Sequence, residues 1–124
     1  RPDLAIHKFF KLMKEGKNIT LFGDGSTRRD YTYIDDIING IIAAINYKET
    51  LYEVVNLGNN ETVKLSELVD AIEKASGISA KKNYEPEQPG DVKQTWADVK
   101  KADSLFNYKS DYSIELRLKK FNLV

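Results

Sequence analysis

The sequence has no cysteine, which excludes a disulfide framework and a thiolate metal site. Its one histidine, His7, is too few for a histidine zinc site. Net charge is missing as well, because 19 Lys+Arg face 19 Asp+Glu. That balance gives no electrostatic case for nucleic acid or an anionic membrane. No apolar run approaches the roughly 20 residues that span a bilayer. No signal peptide follows residue 1, so a cytoplasmic protein is expected. The chain opens on Arg1 instead of Met, and we expect a piece that is processed or cut from something longer.

Catalytic signatures are missing too. There is no G-x-G-x-x-G or G-x-x-G-x-x-G, hence no dinucleotide loop. No tyrosine is followed by lysine four residues later, and neither G-x-S-x-G nor H-E-x-x-H occurs. What remains is an ordinary composition, 41% hydrophobic and 31% charged over 124 residues, the size of one domain, residues 1–124.

Apolar spacing predicts a helix over 3–15, with Asp3 as its cap, Ile6, Phe9, Phe10 and Met13 on one face, and Gly16 as its stop. A strand follows at Ile19–Phe22, ending in the Gly23-Asp24-Gly25-Ser26 turn. Tyr31-Thr32-Tyr33 is β-prone. The clearest element is a helix over 34–45. Ile34, Ile37, Ile38, Ile41, Ile42 and Ile45 form one apolar face, and Asp35 and Asp36 occupy the first turn. Gly40 within it costs about 1 kcal/mol relative to Ala, which points to a close packing contact.

Further on, a strand is expected at Val54–Leu57 and a helix at Leu65–Ala75 with Gly77 as C-cap. A strand at Lys81–Tyr84 precedes an irregular stretch broken by Pro86, Pro89 and Gly90. Two short helices complete the chain, one capped by Asp98 and one from Ser113. Alternating strands and helices argue an α/β class. About four short strands cannot cover such wide helix faces, so part of the buried surface should belong to a partner segment.

Three polar clusters could carry chemistry. Arg28 and Arg29 beside the glycine turn suit an anion, because guanidinium forks match phosphate or carboxylate oxygens. The competing reading makes them solvated residues paired with Asp24 or Asp30. Asp35 and Asp36 read as helix-start acids, since adjacent helical residues do not face each other. Gln88-Pro89-Gly90-Asp91 is the third cluster. Trp96 could stack on a base or sugar, although a core tryptophan is the more ordinary reading.

Taken in order, these segments resemble a family. They are Arg1-Pro2-Asp3-Leu4-Ala5, Leu21-Phe22-Gly23-Asp24-Gly25, Arg29-Asp30-Tyr31-Thr32-Tyr33-Ile34-Asp35-Asp36, Asn56-Leu57-Gly58, and Gln88-Pro89-Gly90-Asp91 with Thr95-Trp96-Ala97-Asp98. The ordered set looks like the C-terminal third of NAD-dependent sugar-nucleotide epimerases/dehydratases, the extended short-chain dehydrogenase/reductases. It is most similar to the UDP-glucuronate 4-epimerase type, then to the UDP-glucose type.

The resemblance implies a substrate-binding lobe whose Rossmann core is absent. It implies that the backbone at Thr20 and Phe22 meets the uracil, that Arg29 holds the diphosphate, and that Asp91 holds ribose hydroxyls. Gln88 stands where an arginine is frequent, which removes one charge from the phosphate clamp. Arg1 matches a position lining the substrate cleft. NAD, the catalytic tyrosine and the lysine four residues later would belong to the N-terminal domain of a full-length parent. No catalytic residue, cofactor site or metal site is expected within this chain. The expected partner is a UDP-sugar, with homo-oligomers forming through uncovered apolar helix faces. The alternatives are a 4,6-dehydratase or decarboxylase fragment of the same family, and a stand-alone nucleotide-binding or interaction domain.

Overall fold

The computed structural model describes residues 4–120. Arg1 and the expected cap Asp3 therefore lie outside the described residues. The element order is α1 (Ala5–Lys14), β1 (Asn18–Phe22), β2 (Arg28–Arg29), α2 (Ile34–Asn46), β3 (Val63–Lys64), α3 (Leu65–Ser76), β4 (Lys81–Glu85), β5 (Gln94–Thr95), α4 (Lys100–Phe106) and α5 (Ile114–Lys120). The α/β class holds, with five described strands in place of about four.

Two small sheets are present among the described residues. β1 pairs in parallel with β4, in register from Asn18 opposite Lys81 to Phe22 opposite Glu85. β2 is the centre of the other sheet, antiparallel to β3 and parallel to β5. Alternation along β1 buries Ile19 and Leu21 and leaves Thr20 and Phe22 half-buried on the opposite side.

The main apolar cluster joins Phe9 and Met13 of α1, Ile19 and Leu21 of β1, Leu68, Val69 and Ile72 of α3, and Leu118 of α5. A smaller cluster holds Val99, Ala102 and Tyr108, with Val55, Leu57, Ala97 and Phe106 against it. The glycine turn serves α3. The carbonyls of Gly25 and Thr27 accept from the Ser66 and Leu65 amides, at 3.0 and 2.9 Å. These are amides that the first helical turn cannot satisfy internally. Gly25 adopts φ +83 to make that approach.

Four sequence expectations are corrected. Val54–Leu57 forms no strand; Val55 and Leu57 pack on the smaller cluster, and no described strand offers the segment a ladder. Tyr31–Tyr33 is not a strand either. The ladder lies three residues earlier, at Arg28–Arg29, where β3 and β5 supply partners. Trp96 is 57% exposed instead of buried in the core. Finally, α4 begins at Lys100 behind Val99, although Asp98 Oδ1 still accepts its first amide at 3.0 Å.

Helix α2 forms as expected, and its isoleucine face is left uncovered, as the shortage of strands implies. Its buried residues are Asp36 and Gly40. The isoleucine face turns outward, with Ile34, Ile38, Ile41, Ile42 and Ile45 all exposed. Gly40 explains the inner contact. A Cβ there would lie 2.7 Å from Leu57 Cδ2 and 2.9 Å from Tyr108 Cε2. The first-turn acids explain the anchoring. Asp36 accepts from Ser110 Oγ at 2.9 Å and from the Asp111 amide at 3.0 Å. Asp35 accepts from Tyr112 Oη at 3.3 Å. These bonds latch the segment before α5 onto the start of α2.

Candidate functional site

Strand alternation sends the two adjacent arginines to opposite faces of β2. Arg28 is spent on structure. Its Nε donates to Thr62 Oγ1 and its Nη2 to the Thr62 carbonyl, both at 2.8 Å. Arg29 is bonded more lightly. Its Nη1 donates to the Arg28 carbonyl at 2.8 Å, and its Nη2 lies 3.7 Å from Asp91 Oδ1. Neither arginine is paired with Asp24 or Asp30. Asp24 Oδ1 accepts the Ser26 amide within the turn. Asp30 accepts Thr32 Oγ1, the Asn59 amide and the Ala97 amide, and so ties three distant segments together.

Arg29 opens onto two neighbouring clefts. The smaller, of about 270 Å³, is lined by Thr20, Phe22, Arg29 and Asp91, with Lys8, Phe9 and Tyr31 among the other walls. Four of the six residues named from sequence therefore converge on one cleft, although they lie on β1, β2 and the loop before β5. Gln88 does not line it. That residue is exposed, and its backbone carbonyl accepts the Asp91 amide at 3.1 Å, which shapes the turn presenting Asp91. Arg1 lies outside the described residues.

The larger cleft, of about 800 Å³, shares Ala5, Arg29 and Tyr31 with the smaller one. Its other walls come from α1, the start of α2 and Arg117. The Tyr31 phenol between the clefts is pushed up by burial, and the nearby Arg29 charge opposes that shift. Its hydroxyl stays protonated near neutrality, as a hydrogen-bond donor.

Sequence reasoning missed Lys8, Tyr31 and Arg117. Lys8 sits among helix lysines with no distinguishing signal. Arg117 has a basic neighbourhood in sequence, and only the packing of α5 buries it, to 2% exposure.

Chemically, the smaller cleft offers a cation, a carboxylate and a half-buried strand, which suits a phosphate joined to a hydroxylated group. A cofactor cradle is another matter. The glycines after β1 lead through a turn into β2, not into a helix. The arrangement that places a dinucleotide pyrophosphate at a helix N-terminus is therefore not met by these residues. No group of three or more metal-ligating side chains occurs among the described residues, and none of their helices is long and apolar enough to cross a membrane.

Comparison with known proteins identifies the family. The family model described as GDP-mannose 4,6 dehydratase matches residues 2–121. An uncharacterised protein of Methanocaldococcus jannaschii is 45% identical over 121 residues, covering 98% of this chain and 37% of that protein. The UDP-glucuronate 4-epimerase of Thermodesulfobacterium geofontis is 42% identical over 121 residues, covering 97% of this chain and 37% of the epimerase. Among solved structures, the UDP-glucuronic acid 4-epimerase of Bacillus cereus, in complex with UDP-glucuronic acid and NAD, superposes with a TM-score of 0.89. It is 44% identical, over 96% of this chain and 38% of that one. The chain thus spans well under half the length of the relatives it matches. On the family model, the relatives and the superposition together, the chain belongs to the NAD-dependent sugar-nucleotide epimerase/dehydratase family of extended short-chain dehydrogenase/reductases and corresponds to their C-terminal portion.

Proposed function

We propose that this chain is the UDP-sugar-binding portion of an NAD-dependent UDP-sugar 4-epimerase and is inactive by itself. The observation that carries the reading is the convergence of Thr20, Phe22, Arg29 and Asp91 on one cleft from segments far apart in sequence. In this reading the base lies along β1 at Thr20 and Phe22. Arg29 takes the diphosphate and Asp91 the ribose hydroxyls. A diphosphate carries about two negative charges, for which a guanidinium fork is a strong partner. Gripping the remote nucleotide fixes where the sugar sits, which is how binding energy orients a reacting carbon.

Titration of UDP and a UDP-sugar into the chain tests the assignment. Weak binding is expected, and Arg29→Ala should weaken it by about 1.5–3 kcal/mol, as for a lost charged hydrogen-bond partner. Equal affinities for wild type and variant would reject Arg29 as the clamp. A measurable epimerisation rate from this chain supplied only with NAD would refute its inactivity.

The outward isoleucine face of α2 supports a second element of the reading, self-association through that face. Contiguous exposed apolar side chains favour contact over hydration. Sedimentation of the wild type should show dimers that Ile38→Glu with Ile42→Glu converts to monomers. A wild type that stays monomeric at high concentration would contradict it.

A further inference from the structure

The phosphate grip of the smaller cleft is short of positive charge. Gln88 brings none, and it does not line the cleft. Arg28 is committed to Thr62 on the other face of β2. Arg29 is only partly free. Its Nη1 donates to the Arg28 carbonyl at 2.8 Å, and its Nη2 lies 3.7 Å from Asp91 Oδ1. The charges of Arg29 and Asp91 taken together cancel, and a neutral wall offers an anion no net attraction.

Helix α1 supplies a further cation. Ala5, Lys8 and Phe9 all line the smaller cleft. They stand at i, i+3 and i+4, the spacing that puts side chains on one helix face. This stripe runs from buried Phe9 to exposed Lys8, so the lysine is a wall residue that solvent, and hence a ligand, reaches. Its charge is also uncommitted. No acidic side chain occupies the first turn of α1, and Lys8 has no ion-pair partner among the described residues. With Lys8 counted, the cleft that holds Arg29 and Asp91 becomes positive.

We propose that Lys8 is the second cation of the nucleotide site, gripping the diphosphate from α1 while Arg29 grips it from β2, and that it replaces the charge Gln88 does not bring. The inference rests on the nucleotide reading of the smaller cleft. The two cations divide the work by their chemistry. The planar fork of Arg29, held by the Arg28 carbonyl, fixes the direction of its hydrogen bonds. The Lys8 ammonium is a compact charge on a flexible stem, and it adds attraction without a fixed geometry. Loss of Lys8 therefore weakens binding according to the phosphate charge of the ligand and leaves recognition of the base alone.

Titration of uridine, UMP and UDP into wild type, Lys8→Gln and Lys8→Arg, followed by amide NMR shifts at low and high salt, tests it. Lys8→Gln should weaken UDP by about 5- to 10-fold, between an exposed ion pair and a hydrogen bond to a charged group. UMP should lose less, and uridine nothing. Lys8→Arg should keep most of the UDP affinity. Salt should weaken UDP binding more in wild type than in Lys8→Gln, because the variant lacks one screened charge pair. The melting temperature should not change, since Lys8 is exposed. Wild-type affinity for UDP in Lys8→Gln, or a salt dependence equal to that of wild type, would overturn the proposal and spare the nucleotide reading. So would a Lys8→Gln variant that loses uridine as severely as UDP, the mark of a structural role. Failure of UDP to bind wild type at all would overturn the nucleotide reading and this proposal with it.

Discussion

Two helices of this molecule, α2 and α3, carry apolar faces of similar quality and meet opposite fates. Helix α3 turns Leu68, Val69 and Ile72 into the main cluster, where α1, β1 and α5 cover them completely. Helix α2 turns inward a stripe containing Asp36 and Gly40 and leaves five isoleucines outside. The difference shows that amphipathic periodicity fixes which residues share a face, whereas the available partners fix which face is buried. At α2 the inward contacts are polar latches and one glycine-enabled approach. At α3 they are area and shape.

Breaking the α3 side should cost most. Leu68→Ala removes fully buried atoms and should destabilise by about 2–5 kcal/mol in chemical denaturation. A loss below 1 kcal/mol there would mean that the main cluster is not closed. On the α2 side, Gly40→Val should cost about 1–3 kcal/mol through overpacking against Leu57 and Tyr108, despite the gain in helix propensity. Stabilisation by that substitution would show that α2 does not pack as described. Asp36→Asn, which keeps an acceptor oxygen for only one of Ser110 and the Asp111 amide, should cost about 1–3 kcal/mol by the same measurement.

Smaller effects sharpen the contrast. The Tyr108 phenol donates to the Gly58 carbonyl at 2.9 Å, and its pKa is raised by burial, then by Asp36. Below about pH 10, the ordinary tyrosine value, the phenol is protonated in both folded and unfolded chains. Above it the unfolded chain releases the proton first, so stability should fall as pH rises towards the higher folded value. Tyr108→Phe should flatten part of that alkaline slope, and an unchanged slope would remove Tyr108 as its source. Smallest of all, Ile42→Ser on the outer face should change monomer stability by no more than about 0.5 kcal/mol, in contrast to Leu68→Ala.

Much of the fold was legible because helices announce themselves through spacing. Residues 34–45 and 65–75 were placed within a residue or so by period and caps, and Gly40 was legible as a contact. The two-residue strands were not legible. Arg28–Arg29 carries no β signal of its own and is a strand only because Val63–Lys64 and Gln94–Thr95 arrive on either side. At the candidate site, Arg29 and Asp91 could be named from ordered motifs, since turn residues and a charged run persist in sequence. Arg117 could not, because in sequence it is one basic residue in a basic helix end.

The sequence by itself determined the neutral, cysteine-free composition, the class of the fold, the helix faces and the family. These depend on residue type and local spacing. Tertiary structure alone decided that adjacent arginines part company, Arg28 to hold Thr62 and Arg29 to face the clefts. It also decided that α2 buries its polar stripe, and that Arg117 loses its water without gaining a partner. The physical reason is the same in each case. Burial and hydrogen-bond satisfaction are set by what arrives from elsewhere in the chain, and no window of neighbouring residues contains that information.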